Sequence, residues 1–427
     1  MRGPPGPAGG REAGVKVLWT ACLLLAGGAS VARGAEDFLD RAGEVLTLNS
    51  AGGGVSARIS GTLDLEGYLF QNPPPGMVFS DQGSLFVPRL SVFLDAQVGQ
   101  KFYLFAQARV DRGFDPGEGS LEVRLDEYAL RYTPWSGQRF SLQAGKFATV
   151  VGNWVPRHGS WENPFVTAPL PYENLTGVWD AVAAHSSGIL LAWAHVGPSR
   201  VSEYADKYER SPIIWGPSYS SGFAVLGGIG PFDYAAEVKN ASLSSKPASW
   251  NFDNGAWANP TVSARLGFRP NLMWNFGLSA SSGVYLRPSA APTVATGFGL
   301  GDYREQVLGQ DVSFAWHYWQ VWMEAYETRF EIPRVGNADT FSYYTEAKYK
   351  FTPQFFAAVR WNQQTFGTIP HNGLPAQWGR DLWRIDLAPS YRLTAHLQVK
   401  LQYSLLHENG AARDYAHALE FQLTVRF

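Results

Sequence analysis

Cysteine is nearly missing from this chain, since its 427 residues contain one, Cys22, inside an N-terminal apolar run. If that run is removed in maturation, the remaining chain holds no disulfide, no thiol nucleophile and no zinc–thiolate site. Charge is sparse as well: Asp, Glu, Lys and Arg make up 17% and the formal net charge is −2. No Lys/Arg run is long enough to make a phosphate-binding stripe, which excludes nucleic acid as a partner. Beyond the N-terminus there is no stretch of roughly 18 apolar residues, so no helical membrane span is expected. Catalytic motifs are missing too. HExxH, GxSxG and a Gly-rich phosphate loop do not occur, and Gly52-Gly53-Gly54 has no helix after it and reads as linker.

The eight histidines, at 158, 185, 195, 317, 371, 396, 407 and 417, fall mostly near turns or loops. A barrel enzyme would need a Ser/His or Asp/His set at the membrane boundary, and it is the least favoured of the readings. His407-Glu408 with His417 is too loosely spaced for a metal. No metal and no cofactor is expected.

What the chain has in excess is rings: 16 Trp, 19 Tyr and 26 Phe. At the N-terminus, Arg11 and Lys16 precede the apolar run Val17 to Ala29, then Ala32-Arg33-Gly34-Ala35 and the acidic Glu36-Asp37. This is the layout of a Sec-type signal peptide over residues 1–35. A lipid-anchor reading of Cys22 would need cleavage in mid-run and is disfavoured. Residues 36–57 read as a short linker and 58–427 as one unit.

In that unit, apolar and polar residues alternate over segments of about ten residues, as strands with one face in lipid and one in water must. Leu90, Val92, Leu94, Ala96 and Val98 oppose Arg89, Ser91, Asp95 and Gln97. After Gly99-Gln100-Lys101 the code resumes with Leu104, Ala106, Ala108 and Val110 against Gln107, Arg109 and Asp111, so the two segments form a hairpin. It recurs at Tyr128–Tyr132, Val262–Phe268, Phe355–Asn362, Trp383–Leu387, Leu397–Leu405 and Leu419–Phe427.

Connections alternate between short and long. Short ones fall at Gly99, Pro134–Gly137, Ser186-Ser187, Gly230-Pro231, Arg269–Asn271, His317-Tyr318, Thr352–Gln354 and Thr394–His396. Long ones fall at 71–84, 112–121, 148–175, 198–220, 242–259, 286–305, 331–339, 364–380 and 407–414. Short periplasmic turns and long extracellular loops are the signature of an all-β, transmembrane antiparallel β-barrel. The connections predict about 18 strands, with 16 as the alternative because 176–197 and 221–241 are weakly patterned. Aromatics gather where strands meet turns, among them Phe102, Tyr132, Trp135, Trp274, Trp316, Trp319, Phe351 and Tyr391, as an interfacial girdle requires. The last strand ends on Phe427, which resembles the signal read by the outer-membrane barrel-assembly machinery.

The run Arg89–Ala96, Phe102–Asp111, Asp126–Tyr132 and Leu142–Phe147 is similar to the phosphate-selective porins, the O/P porin family, over residues 58–180. The resemblance implies a trimeric, 16-stranded barrel in the cell outer membrane, hence a homotrimer in contact with lipid and lipopolysaccharide. It implies passive diffusion of small polar solutes or inorganic ions, phosphate among them. Phosphate selectivity in the family rests on a dense ladder of lumenal Arg with constriction Lys. Here Arg is scattered among acids of similar number, so the resemblance does not carry that selectivity.

The loop 148–175 is expected to fold inward, with Arg157, His158 and Glu162 at a constriction; an exposed loop packed on a neighbouring subunit weighs about equally. Arg89, Arg109, Arg131, Arg265, Arg360, Arg384, Arg392 and Lys400 are expected on the lumenal face, opposed by Asp64, Asp95, Asp111, Glu127, Asp386 and Glu420. Opposed charge across a narrow bore would orient dipolar solutes. Pairing with a cross-strand neighbour is the expected use of any single one. A non-conducting structural or adhesive barrel, working through its long loops, is the alternative function.

Overall fold

The computed structural model describes residues 36–427 apart from 37, 42, 51, 72–75, 79–82, 114–119, 196–209, 250–255 and 411–414. The expected signal peptide lies outside the described residues.

The alternating segments are strands. They are β1 (Thr47–Asn49), β2 (Val55–Gln71), β3 (Ser84–Val98), β4 (Phe102–Asp111), β5 (Glu122–Tyr132), β6 (Ser141–Phe147), β7 (Ser220–Ile229) and β8 (Phe232–Lys239). Then come β9 (Thr261–Phe268), β10 (Trp274–Val284), β11 (Arg304–Trp316), β12 (Trp319–Ile332), β13 (Gly336–Lys350) and β14 (Phe355–Phe366). The chain finishes with β15 (Thr368–His371), β16 (Leu374–Gln377), β17 (Leu382–Arg392), β18 (Leu397–Glu408) and β19 (Tyr415–Arg426). β2 to β14 and β17 to β19 pair antiparallel with their sequence neighbours, and β19 pairs with β2 from His417↔Gln71 to Arg426↔Thr62. The ring therefore closes with sixteen strands, leaving no unpaired edge in the wall. β1 is an extra short strand on β2, and β15–β16 is a separate hairpin in the β14–β17 loop.

Sixteen is the smaller of the two expected numbers, and the place of the difference is clear. Ser186-Ser187 is not a rim turn: Ser187–His195 is a helix, so the loops expected at 148–175 and 198–220 are parts of one connection from β6 to β7. Of the two weakly patterned segments, 221–241 forms β7 and β8, and the described part of the other, 176–195, forms no barrel strand. The loop expected at 331–339 is also corrected, because β12 and β13 run on as paired strands to Ile332↔Gly336 and leave three residues to turn. Glu331, Asn337 and Asp339 look like loop only because these strands continue past the apolar band.

The exposure pattern is the reverse of a soluble protein's. Phe223, Val262, Leu266 and Leu278 on the outer wall are each more than half exposed, while Glu324, Arg360, Asp386 and Gln402 on the inner wall are fully hidden. Scattered exposed hydrophobics are ordinary, but an apolar belt running round every strand of a closed sheet needs an apolar solvent. None of the described helices is long and apolar enough to cross a membrane, a statement that does not bear on strands.

Candidate functional site

At Ala148 the chain leaves β6 and crosses the bore instead of folding outward. The first step is a tight one: Gly152 has φ +79°, and a side chain there would collide with the hydroxyls of Tyr172 and Tyr326 and with Glu324. Only glycine both adopts that backbone and leaves the room. Beyond it, Glu324 on β12 accepts the backbone N–H groups of Asn153 and Trp154 and the hydroxyl of Tyr172, the last two at 2.7 Å. Thr149 and Val150 are tied in the same way to Glu237 on β8.

The rest of the inward segment is fastened by wall residues on β13 to β18, the half of the ring farthest from β6. Arg157 pairs with Glu346, hydrogen-bonds Tyr344 at 3.0 Å and lies over the Trp322 ring at 4.4 Å. Lys400 donates to the backbone carbonyls of Ser160 and Asn163. Gln402 accepts the N–H of Val166 at 2.6 Å, and Asn362 that of Leu170 at 3.2 Å. Arg360 donates to the Thr167 and Ala168 carbonyls, and Arg384 to the Ala168 carbonyl and the Glu173 carboxylate. Val151, Tyr172 and Ile214 of the loop are buried to completion.

His158 is held between two partners. Its Nδ1 donates to the Val155 carbonyl at 2.5 Å and its Nε2 accepts the Tyr219 hydroxyl at 2.7 Å, which fixes the neutral tautomer. Burial pushes its pKa down to about 4. Glu162 is exposed and makes no ion pair among the described residues.

The lumenal charges pair sideways, between neighbouring strands, rather than across the bore. Arg89 bonds Asp64 at 3.2 Å and also Glu66; Arg109 meets Asp126 at 3.0 Å; Arg360 bonds Asp386 at 2.8 Å. Asp111 takes Arg124 at 2.8 Å, and Asp95 takes the Tyr103 hydroxyl. Arg131 bonds Gln143 at 2.7 Å, Glu127 accepts the Ala148 N–H at 2.8 Å, and Glu420 is buried in a small cavity it shares with Arg384 and Glu173. Arg265 bonds Asp233 on β8 and reaches over β10 to Asp311 at 2.7 Å. It can do so because Gly277 lies between them, where a Cβ would overlap both charged groups. Neighbouring-strand pairs satisfy charge at short range, and they divide the cations into two sets. Arg360 has no exposed side-chain surface, whereas Arg89 and Arg109 keep 24% and 17%. The solvent-touched side of the lumen is therefore the β3–β5 wall that faces the loop.

Asp126, Glu237, Glu324, Tyr326, Tyr344 and Glu346 do comparable work and were not among the residues expected from sequence, whereas Asn362 was expected on the polar face beside Arg360. Asp126 is inward next to inward-facing Glu127 because β5 carries a bulge at this point: Gln107 pairs with Glu127 and Ala108 with Leu125. Among the described residues one Ser/His pair lies within hydrogen-bond reach, Ser187 Oγ to His371 Nδ1 at 3.0 Å, between the loop helix and the β15–β16 hairpin.

No family model matches the sequence, and no curated protein is similar to it. Solved structures are similar in fold. OmpF of Salmonella typhi in complex with daunomycin gives a TM-score of 0.55 at 11% identity, over 89% of this chain and 100% of that one. The anion-selective porin of Comamonas acidovorans gives 0.53 at 10% identity, over 87% and 100%. The outer-membrane channel DcaP of Acinetobacter baumannii gives 0.54 at 8% identity, over 89% and 99%. The chain thus has the fold of the outer-membrane porins: one closed antiparallel barrel, here with a long loop laid across its bore.

Proposed function

We propose that this protein is an outer-membrane porin, a passive diffusion channel for small polar or ionic solutes, anions such as phosphate among them. The observation that carries the reading is the inverted wall: hydrophobic side chains face out round the ring, while Arg, Lys, Asp, Glu, Asn and Gln face in. Such a wall is stable in hydrocarbon outside and polar material inside, and in no other setting. The loop from β6 to β7 narrows the bore, and the partly exposed Arg89 and Arg109 are the wall charges a passing solute meets. Arg157, His158 and Lys400 act through the loop, setting how far it intrudes. The kinship with phosphate-selective porins is part of this proposal, as are a homotrimer, contact with lipopolysaccharide, a Sec-type leader over residues 1–35 and capture by the barrel-assembly machinery through Phe427.

A second reading is favoured by one observation: three lumenal cations, Arg360, Arg384 and Lys400, are engaged in holding the loop in place, as in a barrel that is plugged and serves a structural or adhesive role. Planar-bilayer recording of the purified protein separates the two. Discrete open steps are expected of the porin; their absence over a wide voltage range leaves the plugged barrel.

A further inference from the structure

Strand β6 is too short to cover β5. The two pair only from Tyr128↔Lys146 to Tyr132↔Leu142, while β5 runs on beside β4 to Asp111↔Glu122, so residues 122–127 have no strand on their other side. An open edge inside a barrel wall leaves backbone groups that must find partners elsewhere. The β8–β9 connection supplies them. Leu125 N–H donates to the Ser249 carbonyl at 3.0 Å, and the Ser249 hydroxyl donates to Glu122 at 2.6 Å. Lys146, at the fork where β6 parts from β5, donates to the carbonyls of Leu125 at 2.7 Å, of Ala248, and of Ser249 at 3.5 Å. It is buried and forms no ion pair among the described residues, so neutral carbonyls are what solvate its charge.

The other end of the segment is fixed. Ser244 donates its N–H and its hydroxyl to Glu305 on β11, at 3.2 Å and 2.7 Å, and the Leu243 carbonyl accepts the Trp215 N–H at 2.8 Å. Residues 241–244 are buried, with Leu243 in the same apolar cluster as Val151 and Tyr172. Ser245, Ala248 and Ser249 are half-buried and carry small side chains, so the hold of the tip on β5 is hydrogen bonding rather than packing. A buried root with a tip held by polar contacts is where local opening needs least free energy. Beside the tip, Arg124, Asp111 and Asp126 are only 2%, 5% and 2% exposed, whereas the side chains of Arg89 and Arg109 on the same wall keep 24% and 17%.

We propose that residues 245–249 form a latch, separate from the β6–β7 loop, that closes over the long-loop end of β5, and that Lys146 is the positioning residue that keeps it shut. Closed, the tip hides the Arg124, Asp111 and Asp126 group. Open, it swings about residues 241–244 and bares those charges to the lumen beside Arg109. The solvent-touched side of the bore then has two settings with different charge on view, and a passing solute meets a different field in each. The effect on solutes rests on the channel reading; the motion itself does not.

Hydrogen exchange of the intact protein in neutral detergent reads the motion, because the Leu125 amide donates to Ser249. Lys146→Met is expected to speed exchange at Leu125 at least tenfold and to leave Leu130, which sits between β4 and β6, unchanged. Ser249→Ala, at a position outside the strands, gives a smaller rise in the same direction and keeps the test decisive if Lys146→Met fails to fold. Exchange at Leu125 unchanged in Ser249→Ala, and in Lys146→Met where it folds, overturns the latch. Its effect on current is read with Glu122→Cys and Ser249→Cys joined by dibromobimane, since the one cysteine of the sequence, Cys22, lies in the expected leader. The cross-link is expected to lower the rate of current fluctuations in planar bilayers at least threefold, and Lys146→Met to raise it. Fluctuations untouched by a complete cross-link overturn the role of the latch in the channel. No current at all from the unaltered protein removes the channel reading, and the exchange rates still decide whether the latch moves.

Discussion

The backbone N–H of Trp154 points at the carboxylate of Glu324, 2.7 Å away, joining the loop that leaves β6 to the wall at β12. The same carboxylate takes the Asn153 N–H and the Tyr172 hydroxyl. Three donors on one buried acid make Glu324 the anchor of the first turn of the loop. Glu324→Ala leaves them unsatisfied, at about 1–3 kcal/mol for each buried group. The closed ring has no comparable dependence on this residue. The expected outcome is a barrel that still migrates as a folded species on unheated gels but shows larger or noisier single-channel steps. Steps of unaltered size would separate the loop position from Glu324.

Charge selectivity should follow exposure rather than mere inward direction. Arg89 and Arg109 touch solvent and Arg360 does not. Arg89→Glu and Arg109→Glu are each expected to move the reversal potential in a salt gradient toward cation preference. Arg360→Glu sets a third acid against Asp386 and Glu346, which then keep only Arg384 and Arg157 as partners, and removing one member of a buried pair costs about 3–5 kcal/mol. Its expected effect is a lower unfolding temperature in detergent. Equal shifts of reversal potential for Arg89→Glu and Arg360→Glu would contradict the division of the two sets.

Acid should loosen the loop. His158 has a pKa of about 4 in the folded protein, below the ordinary value near 6.5, because it is buried. The unfolded or released loop therefore binds the proton more readily, so this contact is at full strength above pH about 6.5 and weakens as pH falls toward 4. Protonation also ends the acceptance of the Tyr219 hydroxyl. Conductance fluctuations are expected to rise between pH 6.5 and 4 and to be pH-independent in His158→Gln. A rise of the same size in that variant would assign the effect to another group.

The wall was legible in the sequence because its outer face meets only lipid and its code is therefore unmixed: Leu397, Val399, Leu401, Tyr403 and Leu405 could not be mistaken. The inner face was harder. On β12 the inward set is Trp322, Glu324, Tyr326, Thr328 and Phe330, nearly as apolar as the outward set, since it packs on a loop as well as on water. That mixture hid Glu324. Asp126 escaped for another reason: a one-residue bulge breaks period-2 counting, and no residue type marks it. Ser186-Ser187 looked like a rim turn because small polar residues open helices inside loops as readily as they close hairpins. The anchoring partners in 148–175, among them the Ser160, Asn163 and Ala168 carbonyls, are backbone atoms, which carry no sequence signal at all.

Closure of the ring rests on a last contact that can be measured. Phe427 exchanges backbone hydrogen bonds with Gly61, 3.0 Å and 3.1 Å, and its ring lies over the bare Cα of that glycine on β2. A Cβ at 61 would overlap the ring and would stand 2.8 Å from the Ser91 carbonyl. Gly61→Ala is thus expected to destabilise the folded barrel by about 1–3 kcal/mol, the usual cost of overpacking. Phe427→Ala removes the ring but not the carbonyl, so it should relieve part of the penalty and not all of it. In a double-mutant cycle by urea unfolding in lipid vesicles, the two substitutions are expected to couple, the pair costing less than the two single losses added. Strict additivity would show that the terminal ring does not rest on Gly61, and that the register closing β19 on β2 is set by the hydrogen-bond ladder alone.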